Sequence, residues 1–214
     1  MIEKIVIIAF LVESIVLHEM AHGLVALLFG DHTAERQGRI TLNPIPHIDP
    51  VWTIAIPVVA FFISSGTFVI GGAKPVPVNP SNYLRPVLGD ICVSAAGIAV
   101  NFLIAVIMIL LLNVVHTVSG NLTGSAIAAV FLRVALLNIV LAMFNLIPIP
   151  PLDGSHLFKY LLPLGLRGPY EKLGRSGAGF IILILAINVP GVWNIFRTMF
   201  YWVGDFLLSN LIFL

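Results

Sequence analysis

Charged residues are scarce in this chain: Asp, Glu, Lys and Arg make up 10% of its 214 residues, against about 25% in a soluble globular domain. That shortage excludes an ordinary soluble fold. With 59% hydrophobic residues and a mean hydropathy of +1.06, the composition is that of a multi-pass protein in a lipid bilayer. Cysteine is almost missing. Cys92 stands alone, so there is no internal disulfide, no cysteine metal site and no redox pair. The net charge is +1 with no basic stripe, which excludes nucleic acid as a partner. Long polar stretches are missing too: the longest, 32–50, is broken by apolar residues, which leaves no room for an appended soluble domain. No internal repeat or low-complexity tract interrupts the chain, and it reads as one domain over 1–214.

Apolar sequence is what the chain has in abundance. Segments 5–29, 87–112, 126–147 and 192–214 are long enough to span a bilayer core of about 30 Å, which takes roughly 20 residues. The first run outlasts the apolar stretch of a signal peptide and is expected to stay in the protein. Segment 177–189 is shorter, covering only about 20 Å as helix. Segment 51–70 is interrupted by Pro57, Ser64, Ser65 and Gly66. If it turns back rather than crossing, Arg36, Arg39, Lys74, Arg85, Lys159, Arg167, Lys172 and Arg175 share one face, eight of the 11 basic residues. The excess of Lys and Arg on cytoplasmic loops makes that face cytoplasmic. The expected fold is therefore a membrane all-α, multi-pass helical bundle with a re-entrant hairpin and short β segments on the cytoplasmic side.

Within the first apolar run lies HEMAH, His18 to His22. On a helix, residues four apart project from one face, so His18 and His22 can hold one Zn²⁺ while Glu19 serves water as general base. Burying two imidazoles and a carboxylate at bilayer depth is costly, which marks them as functional. A catalytic zinc takes three protein ligands and keeps one position open. Candidates for the third are Glu13, His32, His47, Asp49, Asp153 and His156. Asp153 stands out because it follows NLIPIPPLDG, whose Pro148, Pro150 and Pro151 break the helix near the membrane surface. The alternative is that Asp153 caps a helix over SHLFKYLL, and His156, one turn on, is a substitute ligand or a support.

These motifs resemble the site-2 protease family of intramembrane zinc metalloproteases, in particular its compact members without a regulatory domain. HEMAH resembles the family's HExxH, NLIPIPPLDG its Asn-x-x-Pro motif ending in Asp-Gly, and AAGIAVN (95–101) its central-helix motif. QGRITLNPIPHIDP and GGAKPVPVNP are similar to the segments between them. Ile98 departs from the pattern, standing where the family has proline, and the tail from Ser155 carries no such motif. The resemblance implies a catalytic core over about 1–160, with C-terminal membrane segments over about 177–214. It implies one Zn²⁺ per chain with Asp153 as third ligand, and contact of Asn101 and Asn145 with the substrate backbone. The implied substrate is a transmembrane protein or peptide, cut in or near its membrane segment from the cytoplasmic side of the cell membrane.

A helical substrate must unwind before its carbonyls can be attacked, and an extended strand needs an edge to rest on. GRITLN (38–43) alternates polar and apolar residues at the strand period. AKPVPV (73–78) alternates prolines, so the N–H groups of Val76 and Val78 are expected to face one side, toward substrate. A protective edge or turn cluster is the plainer alternative. The competing function is a carrier that relays a divalent metal through intramembrane histidines. Against it, His32, His47 and His116 fall in or near loops. An inactive scaffold is disfavoured by the intact Glu19.

Overall fold

The computed structural model describes residues 2–63, 71–119 and 126–211. α1 (Ile2–Leu28), α4 (Pro86–Ser119) and α5 (Ala126–Asn145) form the packed centre, with α2 (Thr33–Arg36) and α3 (Ile56–Ile63) between the first two. After α5 come the short α6 (Asp153–Phe158), then α7 (Leu164–Arg175), α8 (Ala178–Ile187) and α9 (Pro190–Leu211). α1, α4 and α5 are each long and apolar enough to cross a membrane; α8 and α9, bent by 81°, make a fourth span if taken together. The expected fourth span at 192–214 thus belongs to a broken pair, and the short run before it is a helix turned away from α9.

Side-chain ties set the helix directions. Arg133 Nη1 meets Glu3 Oε1 at 2.6 Å, and Asn138 Nδ2 donates to Ser14 Oγ at 2.9 Å, so α1 and α5 run the same way. Gly97 of α4 abuts His18 and Val93 accepts from His22, while Val6, Ile7 and Phe10 near the start of α1 join the cluster that holds Ile104, Met108 and Ile109, far along α4. α4 therefore runs opposite. α9 follows α4: Phe196 lies against Phe144 at the end of α5, while the Leu211 carbonyl accepts from Asn113. Apolar stripes from all four helices close the core around Val134, Ala135 and Ile139. Polar atoms inside it are few, as a bilayer-embedded bundle requires.

Residues 50–63 begin as a π-helical turn, Pro50–Ala55, whose N-cap Asp49 accepts from Val51 N and Trp52 N, both at 2.8 Å. The chain then comes back to where it left: Gly72 N donates to the Trp52 carbonyl at 3.1 Å, and Lys74 N to the His47 carbonyl at 2.8 Å. Residues 47–52 and 72–74 therefore lie side by side. Residues 64–70, between them, are outside the described residues.

The β segments expected in this region are corrected by the structure: among the described residues there is no strand. GRITLN begins in a turn at Gly38 (φ +62°) and continues irregularly into the 3₁₀ turn Ile45–His47. In AKPVPV, backbone groups that a ladder would use are taken one at a time by separate partners. The Lys74 carbonyl accepts from buried Arg39 at 2.7 Å, and Pro75 and Pro77 have no N–H to offer. Lys74 N–H goes to the His47 carbonyl and Val76 N–H to a side chain of α1.

Candidate metal centre

His18 and His22 come off one face of α1, both buried. The His22 Nδ1–H donates to the Val93 carbonyl of α4 at 2.7 Å. A carbonyl only accepts, so this bond fixes the tautomer and leaves the His22 Nε2 lone pair pointing away, the usual arrangement of a metal-binding imidazole. Asp153, at the first position of α6, comes to the same place. N-cap duty for α6 falls to Leu152, which makes no side-chain cap. The three atoms His18 Nε2, His22 Nε2 and Asp153 Oδ2 form a triangle with edges of 3.1, 3.2 and 3.4 Å.

That triangle fits zinc. Tetrahedral coordination with bonds of about 2.0–2.1 Å separates ligand atoms by about 3.3 Å. Three lone-pair-bearing atoms at such distances repel; one ring proton can relieve a single edge, whereas a cation at the centre relieves all three. Asp153 Oδ2 is buried and makes no hydrogen bond. Gly97 of α4 closes the cradle: a Cβ there would lie 2.6 Å from both His Nε2 atoms, so only glycine lets α4 approach this closely. Among the described residues this is the single cluster of His, Cys, Asp or Glu able to hold a metal.

Glu19 lies beside His18, and its Oε2 accepts from Val76 N–H at 2.7 Å. Of the two donors expected to face substrate, Val76 and Val78, the first is therefore directed at the carboxylate. The loop carrying it is anchored on both sides: by Arg39 at Lys74, and by fully buried Asp31, which accepts from Asn79 N at 2.6 Å, Asn82 Nδ2 at 2.8 Å and Thr33 Oγ1 at 2.5 Å. Val76 and Ile40 close over Gly23, where a Cβ would meet their Cγ1 atoms at 3.2 and 3.3 Å. Val78 packs against the Ala26, Tyr83 and Val93 cluster.

The remaining candidates go elsewhere. His32 pairs with Glu35 at 2.6 Å on the surface, His47 Nε2 sits 3.1 Å from the Thr41 carbonyl, and Asp49 caps its turn. Glu13 is outside the triangle, and His156 turns to Asp90. Asn101 is 1% exposed, one turn beyond Gly97 on the same face of α4, with its Oδ1 unpaired. Asn145 ends α5 and donates to the Leu141 carbonyl. Sequence reasoning missed Gly97, Val93 and Asp90 as parts of this centre. Asp90 carried a signal, being an acid near the start of an apolar helix, but nothing in the sequence named its partners.

Fold and site together point to a class: a helical membrane protein in which two histidines and a carboxylate converge as a metal would require, with a second carboxylate next in sequence, the donor set of a metal-dependent protease. Residues 111–187 match the model of peptidase family M50. The name "Putative zinc metalloprotease" is borne by YwhC of Bacillus subtilis, 38% identical over 84% of this chain and 78% of its own length, and by Rip2 of Mycolicibacterium smegmatis, 32% identical over 94% of this chain and 74% of its own. No solved structure matches the chain. The chain belongs to peptidase family M50, the site-2 protease family, and is a membrane zinc metalloprotease.

Proposed function

We propose that this enzyme cleaves peptide bonds in or near the transmembrane segments of membrane proteins, reaching them from the cytoplasmic side as a step of regulated intramembrane proteolysis. In this reading His18, His22 and Asp153 hold the zinc and Glu19 is the general base. The observation that carries it is the depth of the triangle. It is built on α1 between 18 and 22, roughly 10–15 Å along the helix from Leu28, inside a helix long enough to span.

Zinc held by His18, His22 and Asp153 would supply a Lewis acid able to activate water and polarise a carbonyl. Glu19 is placed to take a proton from the attacking water, whose oxygen bonds to the carbonyl carbon, and to return it to the amide nitrogen as the C–N bond breaks. Val76 N–H holds one carboxylate oxygen of Glu19, leaving the other to reach water. Val93 holds His22 in register, and Gly97 keeps the wall of α4 close. A cleft of about 280 Å³ opens beside α6, lined by Ser155 and His156 together with Asp90, Lys159 and Glu171. Asn101, buried on the face next to Gly97, offers its unpaired Oδ1 to a substrate N–H. Asn145, Val76 and Val78 border the same end of the bundle, where an unwound strand would lie. The metal-carrier reading lacks a relay, since the described residues contain one metal-binding cluster.

The test is reconstitution of wild-type and Glu19→Gln enzyme in liposomes with single-span peptides, mapping products by mass spectrometry. Glu19-dependent cuts in or near the span are expected. Cleavage confined to soluble peptides, or zinc flux without cleavage, would overturn the proposal.

A further inference from the structure

Asp153 is delivered to the metal centre by α6, a helix of six residues. A helix this short does not hold itself in place, because nucleation costs more than one turn returns. Its position must come from tertiary ties. One is steric. A Cβ on Gly154 would overlap the Leu146 carbonyl, so the start of α6 is pressed against the backbone that ends α5.

The second tie is polar and converges on one residue. Asp90, 4% exposed near the start of α4, receives three side chains from the turns that follow Asp153. Lys159 Nζ lies 2.7 Å from Asp90 Oδ2, the Tyr160 hydroxyl donates to the same oxygen at 2.8 Å, and His156 Nδ1 is 3.3 Å from Oδ1. Lys159 is also held by Glu171 of α7 at 3.0 Å. Asp90 lies one turn before Val93, which fixes His22, and two turns before Gly97, which abuts both histidines. One stretch of α4, 90–97, thus touches the supports of all three ligands. A buried carboxylate facing a lysine, a phenol and an imidazole is far more than a helix start requires, and all its partners come from the segment that carries Asp153.

We infer that Asp90 is a positioning residue for the metal centre: through His156, Lys159 and Tyr160 it holds α6 at the register in which Asp153 completes the zinc triangle. This rests on the ligand reading given above. It predicts that weakening the tie loosens the metal without removing a ligand.

The experiment uses full-length enzyme purified in detergent and compares wild type, Asp90→Asn, Tyr160→Phe and Asp153→Ala. Three quantities are read: the rate of zinc release to a chelator, the visible spectrum of the cobalt-substituted protein, and the melting temperature of the metal-free form. Asp90→Asn leaves Lys159 paired with Glu171, so no buried charge is stranded. We expect zinc release about 10–100-fold faster, in the range of other residues that support a metal ligand. We also expect a cobalt spectrum moved toward that of Asp153→Ala. Tyr160→Phe removes one hydrogen bond and should give a smaller change in the same direction. It decides the matter if Asp90→Asn does not fold. Zinc release within about twofold of wild type in the folded variants would overturn the inference, as would a lowered metal-free melting temperature with an unchanged cobalt spectrum, which marks Asp90 as structural only. If Asp153→Ala itself keeps zinc at the wild-type rate, the ligand assignment falls and the inference with it. Loss of zinc in Asp153→Ala alone removes only the role of Asp90.

Discussion

The two halves of the proposed metal centre are built by opposite means. His18 and His22 stand on a helix of 27 residues, so their spacing follows from the helical period and would persist if much else moved. Asp153 stands on a six-residue helix 131 positions beyond His22 in the chain, and nothing local fixes it. A local period needs two residues and a helix; a distant ligand needs a platform, and in the reading proposed above α4 is that platform through Asp90, Val93 and Gly97. The difference teaches where the centre is robust and where it is vulnerable.

The sharpest break is chemical. Glu19→Gln keeps the shape of α1 and removes the base, so cleavage should fall by about 10²–10⁴-fold while zinc content stays at the wild-type level. His18→Ala, by contrast, should lose both. Metal analysis beside the cleavage assay separates the two, and wild-type turnover by Glu19→Gln would remove Glu19 from the mechanism.

Next comes the platform. Gly97→Ala puts a methyl group 2.6 Å from both ligand nitrogens, a distance no real Cβ keeps, so α4 must back away from α1. Zinc affinity should fall by about 10–100-fold although no ligand has changed. Gly23→Ala meets its neighbours at 3.2–3.3 Å and should leave affinity nearly untouched. Equal affinity in both variants would mean that the approach of α4 is not what shapes the site.

The same contrast explains what was legible in the sequence. HEMAH could be read because its meaning is contained in one helical turn. Asp153 stood out because prolines and Asp-Gly announce a broken helix next to a carboxylate. AKPVPV misled: its alternation suggests a strand edge, but a ladder needs a partner, and Arg39, His47 and Glu19 satisfy the backbone groups a partner would use. Gly97 and Asp90 were invisible because their roles exist only across helix contacts. The bend between α8 and α9 was hidden for a related reason, since hydropathy reports length and not direction.

Val76 tests the boundary between the two modes, being a distant residue that serves the local half. Val76→Pro deletes the N–H on Glu19, whereas Val76→Ala keeps it and trims the side chain over Gly23. A hydrogen bond to a charged group contributes about 1.5 kcal/mol at the low end, so Val76→Pro should slow turnover about tenfold at unchanged zinc content. Val76→Ala should stay closer to wild type. Equal loss in both would assign the effect to packing.

The smallest effect concerns the anchor of that loop and is read through pH. Burial pushes the Asp31 carboxyl up, but hydrogen bonds from Asn79 N–H, Thr33 and Asn82 outweigh it and hold the group below its ordinary value of 3.8. A carboxyl depressed in the folded state contributes stability that is fully present above its unfolded value and is lost as pH falls through the folded one. Acidification below about pH 4 should therefore loosen residues 79–82 from the end of α1 while the helical core holds. Asp31→Asn keeps the shape but turns two N–H donors toward groups that need an acceptor, so it should cost about 1–3 kcal/mol at neutral pH and flatten the acid dependence. Melting temperatures of wild type and Asp31→Asn across pH 3–7 check this. Parallel curves would show that some other carboxyl sets the acid limb. Convergence of the two curves at low pH would assign that limb to Asp31, and with it the anchoring of the loop that presents Val76 to Glu19.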